Sequence, residues 1–540
     1  MKNVSVLIAG GGPVGLTLAR DLASRGIVCM LVERNFTTTR HPKMDNTNVR
    51  SMELFSLSGL EPRLRAVAVP ETHPFDVSWV TRMTGHELKR FRYPSPHEDR
   101  ARFRERNDGT QPFVPPMRVS QAEIEPVLKT ALEEEKNAEV RFGVAVIDVA
   151  EDADGVTVTL RDAETGRNEQ VRCLYLAACD GGGSTVRSAI GINVSGQHNV
   201  MPRFMTHFRT SDPQARALLQ RWGLTWHYQS VHGTLIAQND RDVWTLHTRY
   251  PANERDAAEP GALIARFVGA NIPHEILVAN PWTPHLLVAD VAGTRRVLLA
   301  GDAAHQYIPT GGYGMNTGIG DAYALGWQLG AVIQGFGGPG LLEAYKAERH
   351  PVWTRNLDGS RRHNARRVEI GALYDEPDLE AEGEAGTTAR ALAAERIAAL
   401  GNAENESLGL EIGYHYAGSS IVAHEPGAEA PNDPCRYIPS TLPGARLPSV
   451  VLADGTPLYA LLGRWFTCIA FPGTDTAAIE AAARNLGIPL VIRRVDDSNA
   501  RIVYDADMLL IRPDQHVAWR GAGFADIGEA TAVLAMALGW

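Results

Sequence analysis

VSVLIAGGGPVGLTLARDLASRGIVCMLVER, residues 4–34, decides the fold. Residues 4–9 are an apolar, β-branched run of the kind a fully buried strand requires. Gly10, Gly12 and Gly15 follow in GxGxxG spacing. Leu16, Leu18, Ala19 and Leu22 carry a helical pattern that Gly26 ends, residues 27–32 read as a second strand, and Glu33 closes the unit. Strand, glycine turn, helix, strand and acid in about thirty residues are the context that gives a glycine fingerprint meaning as a dinucleotide site. One glycine permits the tight turn, one lets backbone amides approach a pyrophosphate, and one lets helix and strand pack closely. The pyrophosphate then sits at the positive end of the helix. Glu33 lies 18 residues after Gly15, close to the ~20 that places a carboxylate on a ribose. A carboxylate there suits a free 2′-hydroxyl, so FAD or NAD fits better than NADP.

Composition sets outer bounds. The chain has 540 residues, 44% of them hydrophobic and 21% charged. That length accommodates two to four domains at about 100–200 residues each. No apolar run approaches the ~18 residues of a membrane span. The start, Met-Lys-Asn leading into a strand, lacks the pattern of a signal peptide. Cys29, Cys173, Cys179, Cys435 and Cys468 are odd in number and never in CxxC spacing. The expectation is a reducing cytoplasm, with neither a disulfide frame nor a metal site. A net charge of −10 argues against a nucleic-acid partner.

Farther along, Ser120 with Glu123 three residues on reads as a capping box at the start of a helix. Pro126 inside that helix predicts a kink. Residues 51–57 predict a helix that Gly59 ends. Residues 72–112 read as short strands and loops. Residues 140–149, 155–160 and 171–178 read as strands, the last ending at Asp180-Gly181. Residues 203–250 alternate, which predicts antiparallel strands and a different layer. A buried strand at 296–300 runs into Gly301-Asp302, a glycine-rich loop and a long helix over about 316–334. Residues 377–405 look helical and solvated. Residues 426–443 are a Pro-rich loop, and the last hundred residues alternate strands and helices.

Three motifs in order, Gly10 to Gly15, Asp180-Gly181 and Gly301-Asp302, then carry a resemblance. With GDAAHQYIPTGGYGMNTGIGDAYALGWQL, residues 301–329, the chain resembles the single-component flavin-dependent aromatic hydroxylases, the family of p-hydroxybenzoate hydroxylase and phenol hydroxylase. LGLEIGYHY (408–416) and PGARLPSVVLADG (443–455) resemble the thioredoxin-like C-terminal part of the phenol-hydroxylase branch. The resemblance implies an α/β fold: a Rossmann-like FAD-binding domain, an inserted antiparallel-sheet substrate domain and a C-terminal thioredoxin-like α/β domain. The FAD domain would comprise 1–72, 100–192 and 290–365, and the substrate domain 73–99 and 193–289. Residues 366–440 would be a connector and 441–540 the thioredoxin-like domain, whose lack of CxxC gives no support to a redox role.

Site residues follow from the resemblance position by position. Gly10, Gly12, Pro13, Val14 and Gly15 would hold the FAD pyrophosphate, Glu33 the ribose, and Arg34 would lie near the adenine. Arg118 and Gln121 match positions at the ribityl or phosphate part. Asp180 and Arg187 resemble a motif that serves both FAD and the passing NAD(P)H. Asp302 would bind the ribityl or pyrophosphate region and Pro309 would lie beside the isoalloxazine. Gly312, Gly314, Met315 and Asn316 would face its pyrimidine edge. Gly335, Gly337 and Gly340 repeat the fingerprint spacing but follow a helix, and read as a loop.

The implied reaction is NAD(P)H- and O2-dependent hydroxylation of a phenolic or other activated aromatic compound through a flavin C4a-hydroperoxide. NADH or NADPH would be a transient co-substrate. A phenol with pKa near 10 needs a base at pH 7. Asp45, five residues before Arg50, is the candidate; buried beside the flavin, its pKa would be raised. A helix cap or a solvent-facing carboxylate is the alternative for Asp45. His305 reads as a structural loop histidine. His207, Trp226, Tyr228 and Trp244, with Pro309, are candidates for the substrate pocket, and alternation leaves open which face of the sheet lines it. Two other activities stay open: Baeyer–Villiger or epoxidising oxygenation of a polycyclic polyketide, and a flavin reductase with no oxygenated product. The resemblance also admits a homodimer and gives no membrane partner.

Overall fold

A computed structural model describes residues 2–249 and 258–540. Residues 250–257, within the segment expected to form the substrate sheet, lie outside the described residues, as does Met1. The opening stretch folds as its pattern demands: strand Lys2–Ala9, helix Pro13–Ser24, strand Cys29–Glu33. Lys2–Ala9 pairs in parallel with Cys29–Glu33 on one side and with Asn168–Ala178 on the other. Ala138–Phe142 extends the parallel layer beyond Cys29–Glu33. The strand Asn168–Ala178 divides its far edge. Residues 168–173 pair antiparallel with Val156–Asp162, and residues 176–178 pair in parallel with Val297–Leu299. That division brings the ends of three parallel strands, at Gly10, Cys179-Asp180 and Gly301-Asp302, to one edge of one sheet.

Helix Tyr313–Gln334 lies against Pro13–Ser24, with Gly318 and Gly326 where neighbours come close. A Cβ at Gly318 would meet Val14 at 2.5 Å. The 32-residue helix Gly340–Gly371 runs back across it, with Pro351 inside. Seven strands form the second sheet, in the order Glu275–Trp282, Arg203–Arg209, Val243–Arg249, Gly233–Ala237, His227–Ser230, Val77–Val80, Glu87–Phe91. All its pairs are antiparallel except His227–Ser230 with Val77–Val80. Phe204, Phe208, Tyr228, Leu235, Trp244 and Leu246 from one face pack on Leu263, Ile264 and Phe267 of helix Pro260–Val268. The other face carries His207, His227, Gln229, Thr234 and His247, as period-two alternation and the pairings require.

At the C-terminus, Leu490–Arg494, Phe466–Ala470, Met508–Ile511 and Val517–Gly521 form a four-stranded thioredoxin-like sheet. One face packs on Trp327, Ala331 and Leu341 of the two long helices. A buried ionic seam joins this unit to the N-terminal part of the chain. Arg446 donates to Glu53 (Nε–Oε2 2.8 Å), and Arg50 Nη1 donates to Gln515 at 2.6 Å. All five cysteines are free thiols. No helix among the described residues is long and apolar enough to cross a membrane.

Local expectations failed where a weaker signal was overlooked. Residues 72–112 contain a helix, Pro96–Arg106, with a full capping box between Ser95 and Glu98. Only Phe103 and Pro96 are buried on it, so it has almost no apolar periodicity to read. At Ser120 the box is incomplete: its hydroxyl accepts from Ala122 N–H at 3.2 Å, and Glu123 gives no return bond. The helix Gln121–Glu133 runs through Pro126 unbroken. Residues 140–149 are two strands, because Gly143 turns the chain at φ +74°. The helix Gly383–Leu400 is not solvated all round; Ala393 and Ile397 pack against Trp79, Leu88 and Ile370.

Candidate functional site

The glycine turn is tight for visible reasons. Gly10 has φ +108°, and a Cβ there would stand 2.2 Å from Cys179 O. A Cβ on Gly15 would stand 2.0 Å from Gly10 O, whereas one on Gly12 would meet nothing within 4 Å. Gly10 and Gly15 therefore close the turn, and Gly12 leaves its mouth open. Pro13 begins the helix, where its missing N–H costs nothing. Val14 points away from the mouth and packs on Gly301 and Gly318. Glu33 accepts Gly11 N–H at 2.7 Å and Asn35 N–H at 2.8 Å, which fixes its carboxylate at the edge of the turn with lone pairs to spare. Around these residues lies a cleft of about 690 Å³, with Glu33 and Arg34 at one end and Asp180 at the other. Open glycine amides, a helix N-terminus and an acid at ribose distance fit the adenosine and pyrophosphate part of FAD.

Asp180 accepts Ser184 Oγ–H and Val186 N–H, so it closes the start of helix Thr185–Ala189 while bordering the cleft. Arg187 is turned inward. It donates to Ala303 O at 2.8 Å and Gly182 O at 3.0 Å, tying the two acid-bearing loops together. Asp302 is exposed at its strand end. Gly311 (φ +92°) and Gly312 (φ +67°) then turn the chain into helix Tyr313–Gln334. No acidic residue belongs to its first turn, whose amides run from Gly314 to Asn316. This is a positive helix end suited to an electron-rich ligand edge. The Asn316 side chain accepts Asn48 N–H at 3.0 Å and donates to Asn46 O at 3.1 Å and Gly312 O at 2.7 Å. It locks this loop to the Asp45 segment. Pro309 is exposed beside it.

Beneath the loop, Asp321 is fully buried. It accepts Arg349 Nε–H at 2.7 Å, Trp353 Nε1–H at 2.8 Å and Gly301 N–H at 3.1 Å, and lies 2.8 Å from His305 Nε2. Burial alone would raise its pKa. The Arg349 and His305 charges and these hydrogen bonds outweigh it and hold the carboxyl down at about 2. His305 is thus occupied with holding the loop.

Two residues expected at the cofactor stand outside the lining of the cleft. Arg118 is buried, and its guanidinium donates to Pro74 O and Thr225 O, both at 3.1 Å. It bridges toward the second sheet and does not reach the cleft; burial pushes its pKa down to about 10. Gln121 gives its side-chain amide to Glu125 at 2.7 Å, and Glu125 in turn accepts Thr39 N–H at 2.7 Å. Glu125 lines the cleft and Gln121 supports it.

Asp45 stands where the two sheets approach one another. His227 Nε2 is 2.8 Å from its Oδ2, and Trp226 Nε1–H donates to the same oxygen. The Asp45 side chain is 22% exposed. Its pKa is not raised, contrary to expectation. Burial pushes it up, but the His227 charge and the His227 and Trp226 hydrogen bonds win and lower it. Of the other pocket candidates, Trp226 borders a second cavity of about 220 Å³, together with Asn46 and Gly311. Tyr228 and Trp244 do not. Tyr228 O–H donates to Gly223 O at 2.6 Å and Trp244 stacks on Phe208, both on the helix-covered face. His207 is on the cavity-side face, held 2.9 Å from Thr245 Oγ1. Burial lowers its pKa to about 4, so it is neutral.

Sequence reasoning missed two contributors. Glu411 borders the second cavity, and Tyr313 O–H lies 2.9 Å from His363 Nε2 beside the glycine loop. His227, on the sheet whose pocket face alternation left open, pairs with Asp45. Glu411 comes from a five-residue helix far along the chain and had no signal. Among the described residues no group of three potential ligands could hold a metal.

Comparison with known proteins agrees with this geometry. Residues 3–360 match the model of an FAD binding domain, and residues 440–540 that of the aromatic-ring hydroxylase C-terminal domain. The FAD-dependent monooxygenase apdD of Emericella nidulans is 36% identical over 99% of this chain and 90% of its own. The 4-methyl-5-nitrocatechol 5-monooxygenase of a Burkholderia species is 29% identical over 98% of this chain and 96% of its own. Among solved structures, the rebeccamycin biosynthetic enzyme RebC with reduced flavin superposes with a TM-score of 0.87. It is 32% identical, covering 100% of this chain and 99% of that one.

Proposed function

The chain belongs to the FAD-dependent aromatic-ring hydroxylases, and from that premise we propose that it uses NADH or NADPH and O2 to hydroxylate a phenolic or similarly activated aromatic compound. The observation that carries this reading is Asp45. Its carboxylate is held between Trp226 and His227, next to Asn46 and the Gly311 loop, and Trp226 itself borders an apolar-walled cavity. Bound FAD supplies the two-electron chemistry that makes O2 an electrophilic oxygen donor, so the ring it meets must be electron-rich.

The chain's own residues do the rest. Asp45 Oδ2 is saturated by two donors, which leaves Oδ1 to accept a hydrogen bond from a substrate hydroxyl. A carboxylate with a lowered pKa is a weak base, so Asp45 draws on the phenolic proton and polarises the O–H bond more than it removes the proton. Negative charge developing on the phenol oxygen enriches the ring. The first-turn amides of Tyr313–Gln334 orient the flavin edge, while Asp321 and Arg349 fix the loop from below. On this reading residues 1–72, 100–192 and 290–365 serve the cofactor, and 73–99 with 193–289 face the substrate. Residues 366–440 connect these to the unit at 441–540. A cytoplasmic setting suits five free thiols.

The test is a screen of phenols and fused-ring hydroxyarenes for stimulated NADH or NADPH oxidation, with products identified by mass. A product heavier by one oxygen is expected. Oxidation that no aromatic compound stimulates would favour a plain flavin reductase. Insertion of oxygen into a ring C–C bond would favour Baeyer–Villiger chemistry.

A further inference from the structure

The second cavity, about 220 Å³, has walls of Val49, Phe75, Pro94, Pro115, Trp226 and Leu408. No Lys, Arg or His lines it, while Asp99, Glu404, Glu406 and Glu411 do. Glu404 is neutralised by Arg367, whose Nε donates to it at 2.6 Å. Glu406 accepts the Tyr93 hydroxyl at 2.7 Å. Glu411 differs from both. Its Oε2 accepts Val49 N–H at 3.2 Å, and its Oε1 has no partner among the described residues. The side chain is half-buried between helix Val49–Leu57 and the cavity, within reach of the Glu53 charge. Burial and the Glu53 charge push its carboxyl up to about 7.

A carboxylate oxygen that borders a cavity and has no protein donor is open to a donor on a ligand. We propose that Glu411 is a specificity-determining residue. Its free oxygen takes an N–H or O–H donor on the substrate edge remote from Asp45, and the acid-rimmed cavity rejects aromatic acids. The substrate class is therefore an uncharged or basic aromatic with two donors: a hydroxyl for Asp45 and a second N–H or O–H for Glu411. Above about pH 7, where Glu411 is ionised, repulsion from Asp99, Glu406 and Glu411 would oppose a carboxylate in this cavity, and binding is compared at such a pH. This inference rests on the proposed reading of the site and deepens it.

The test uses the holoenzyme and matched fused-ring phenols that carry, at the far edge, a primary amide, its N,N-dimethyl derivative or a carboxylate. Binding is read from perturbation of the flavin absorbance, and turnover separately from product mass. The wild type should bind the primary amide about tenfold or more tighter than either other member, the worth of one hydrogen bond to a charged or partly charged group. Glu411→Gln keeps an acceptor for Val49 and should retain most of the affinity for the amide while weakening discrimination against the carboxylate. Glu411→Leu should lose about tenfold for the primary amide and almost nothing for the dimethyl amide. FAD content serves as the check that each variant folds. Equal binding of amide and carboxylate by the wild type overturns the proposal, as does a Glu411→Leu variant that binds all three like the wild type. Selective binding without oxygenated product would uphold the Glu411 assignment and sink the hydroxylase reading. No binding by any member would sink both.

Discussion

His227 Nε2 lies 2.8 Å from Asp45 Oδ2, and the Trp226 indole donates to that same oxygen. Trp226, just before strand His227–Ser230, and His227, its first residue, thus both reach a carboxylate 181 and 182 positions earlier in the chain. The pair fixes which oxygen of Asp45 remains for a substrate, and it sets the acidity of the group.

His227→Asn should move the acid limb of kcat/KM. Asp45 has a lowered pKa, so in the wild type its ionisation is complete well below neutrality and the limb lies under the ordinary ~3.9 of an aspartate. Without the His227 charge and hydrogen bond, burial dominates and the limb should move to higher pH. A kcat/KM profile against pH for a responsive phenol reads this directly. A limb that stays in place would show that His227 only packs.

Asp45→Asn removes the acceptor while keeping shape. FAD content should be unchanged, and oxidation of the reduced nicotinamide should continue. Hydroxylated product should fall about 10²-fold or more, the usual worth of general acid–base assistance. Hydrogen peroxide should account for the missing equivalents. A fully coupled, full-rate variant would remove Asp45 from the chemistry.

Asp321→Asn should act on stability and cofactor retention. The change leaves Arg349 buried without its anion, a loss of about 3–5 kcal/mol. Thermal melts and flavin release measure it. The pH dependence has a definite sign. The folded pKa, about 2, is depressed, so the stabilisation is complete above the unfolded value of ~3.9 and fades as pH falls toward 2. The variant should lose that part of the acid-side decline.

Gly15→Ala probes the fingerprint. The new Cβ would stand 2.0 Å from Gly10 O, and backbone cannot yield as a side-chain tip can. Destabilisation of at least about 1–3 kcal/mol is expected from overpacking, together with loss of bound FAD by absorbance. Gly12→Ala is the contrast. Its Cβ meets no protein atom within 4 Å, so it should leave the apoprotein melt nearly unchanged and weaken FAD alone.

Much of the cofactor half was legible in residues 4–34 because its constraints are local. A turn that admits no Cβ must be glycine, and the helix that follows must begin at that turn. The Gly301-Asp302 loop was legible for the same reason. The partners of Arg118, Pro74 O and Thr225 O, were not legible, because nothing in its sequence neighbourhood reveals which carbonyls a long guanidinium will find. The helix Pro96–Arg106 was missed because its signal was its cap, while almost all of its side chains face outward.

The sequence by itself determined the opening strand–turn–helix–strand unit, its dinucleotide fingerprint and the presence of an alternating sheet. These follow from glycine sterics and from hydrophobic period, which need only neighbours in the chain. Only the tertiary structure decided that Tyr228 and Trp244 pack under helix Pro260–Val268 while His227 meets Asp45. Only it brought Glu411 to the cavity wall and turned the expected rise in the Asp45 pKa into a fall. Which face of a strand is buried depends on what covers it, and a carboxylate's acidity depends on charges that arrive from distant parts of the chain.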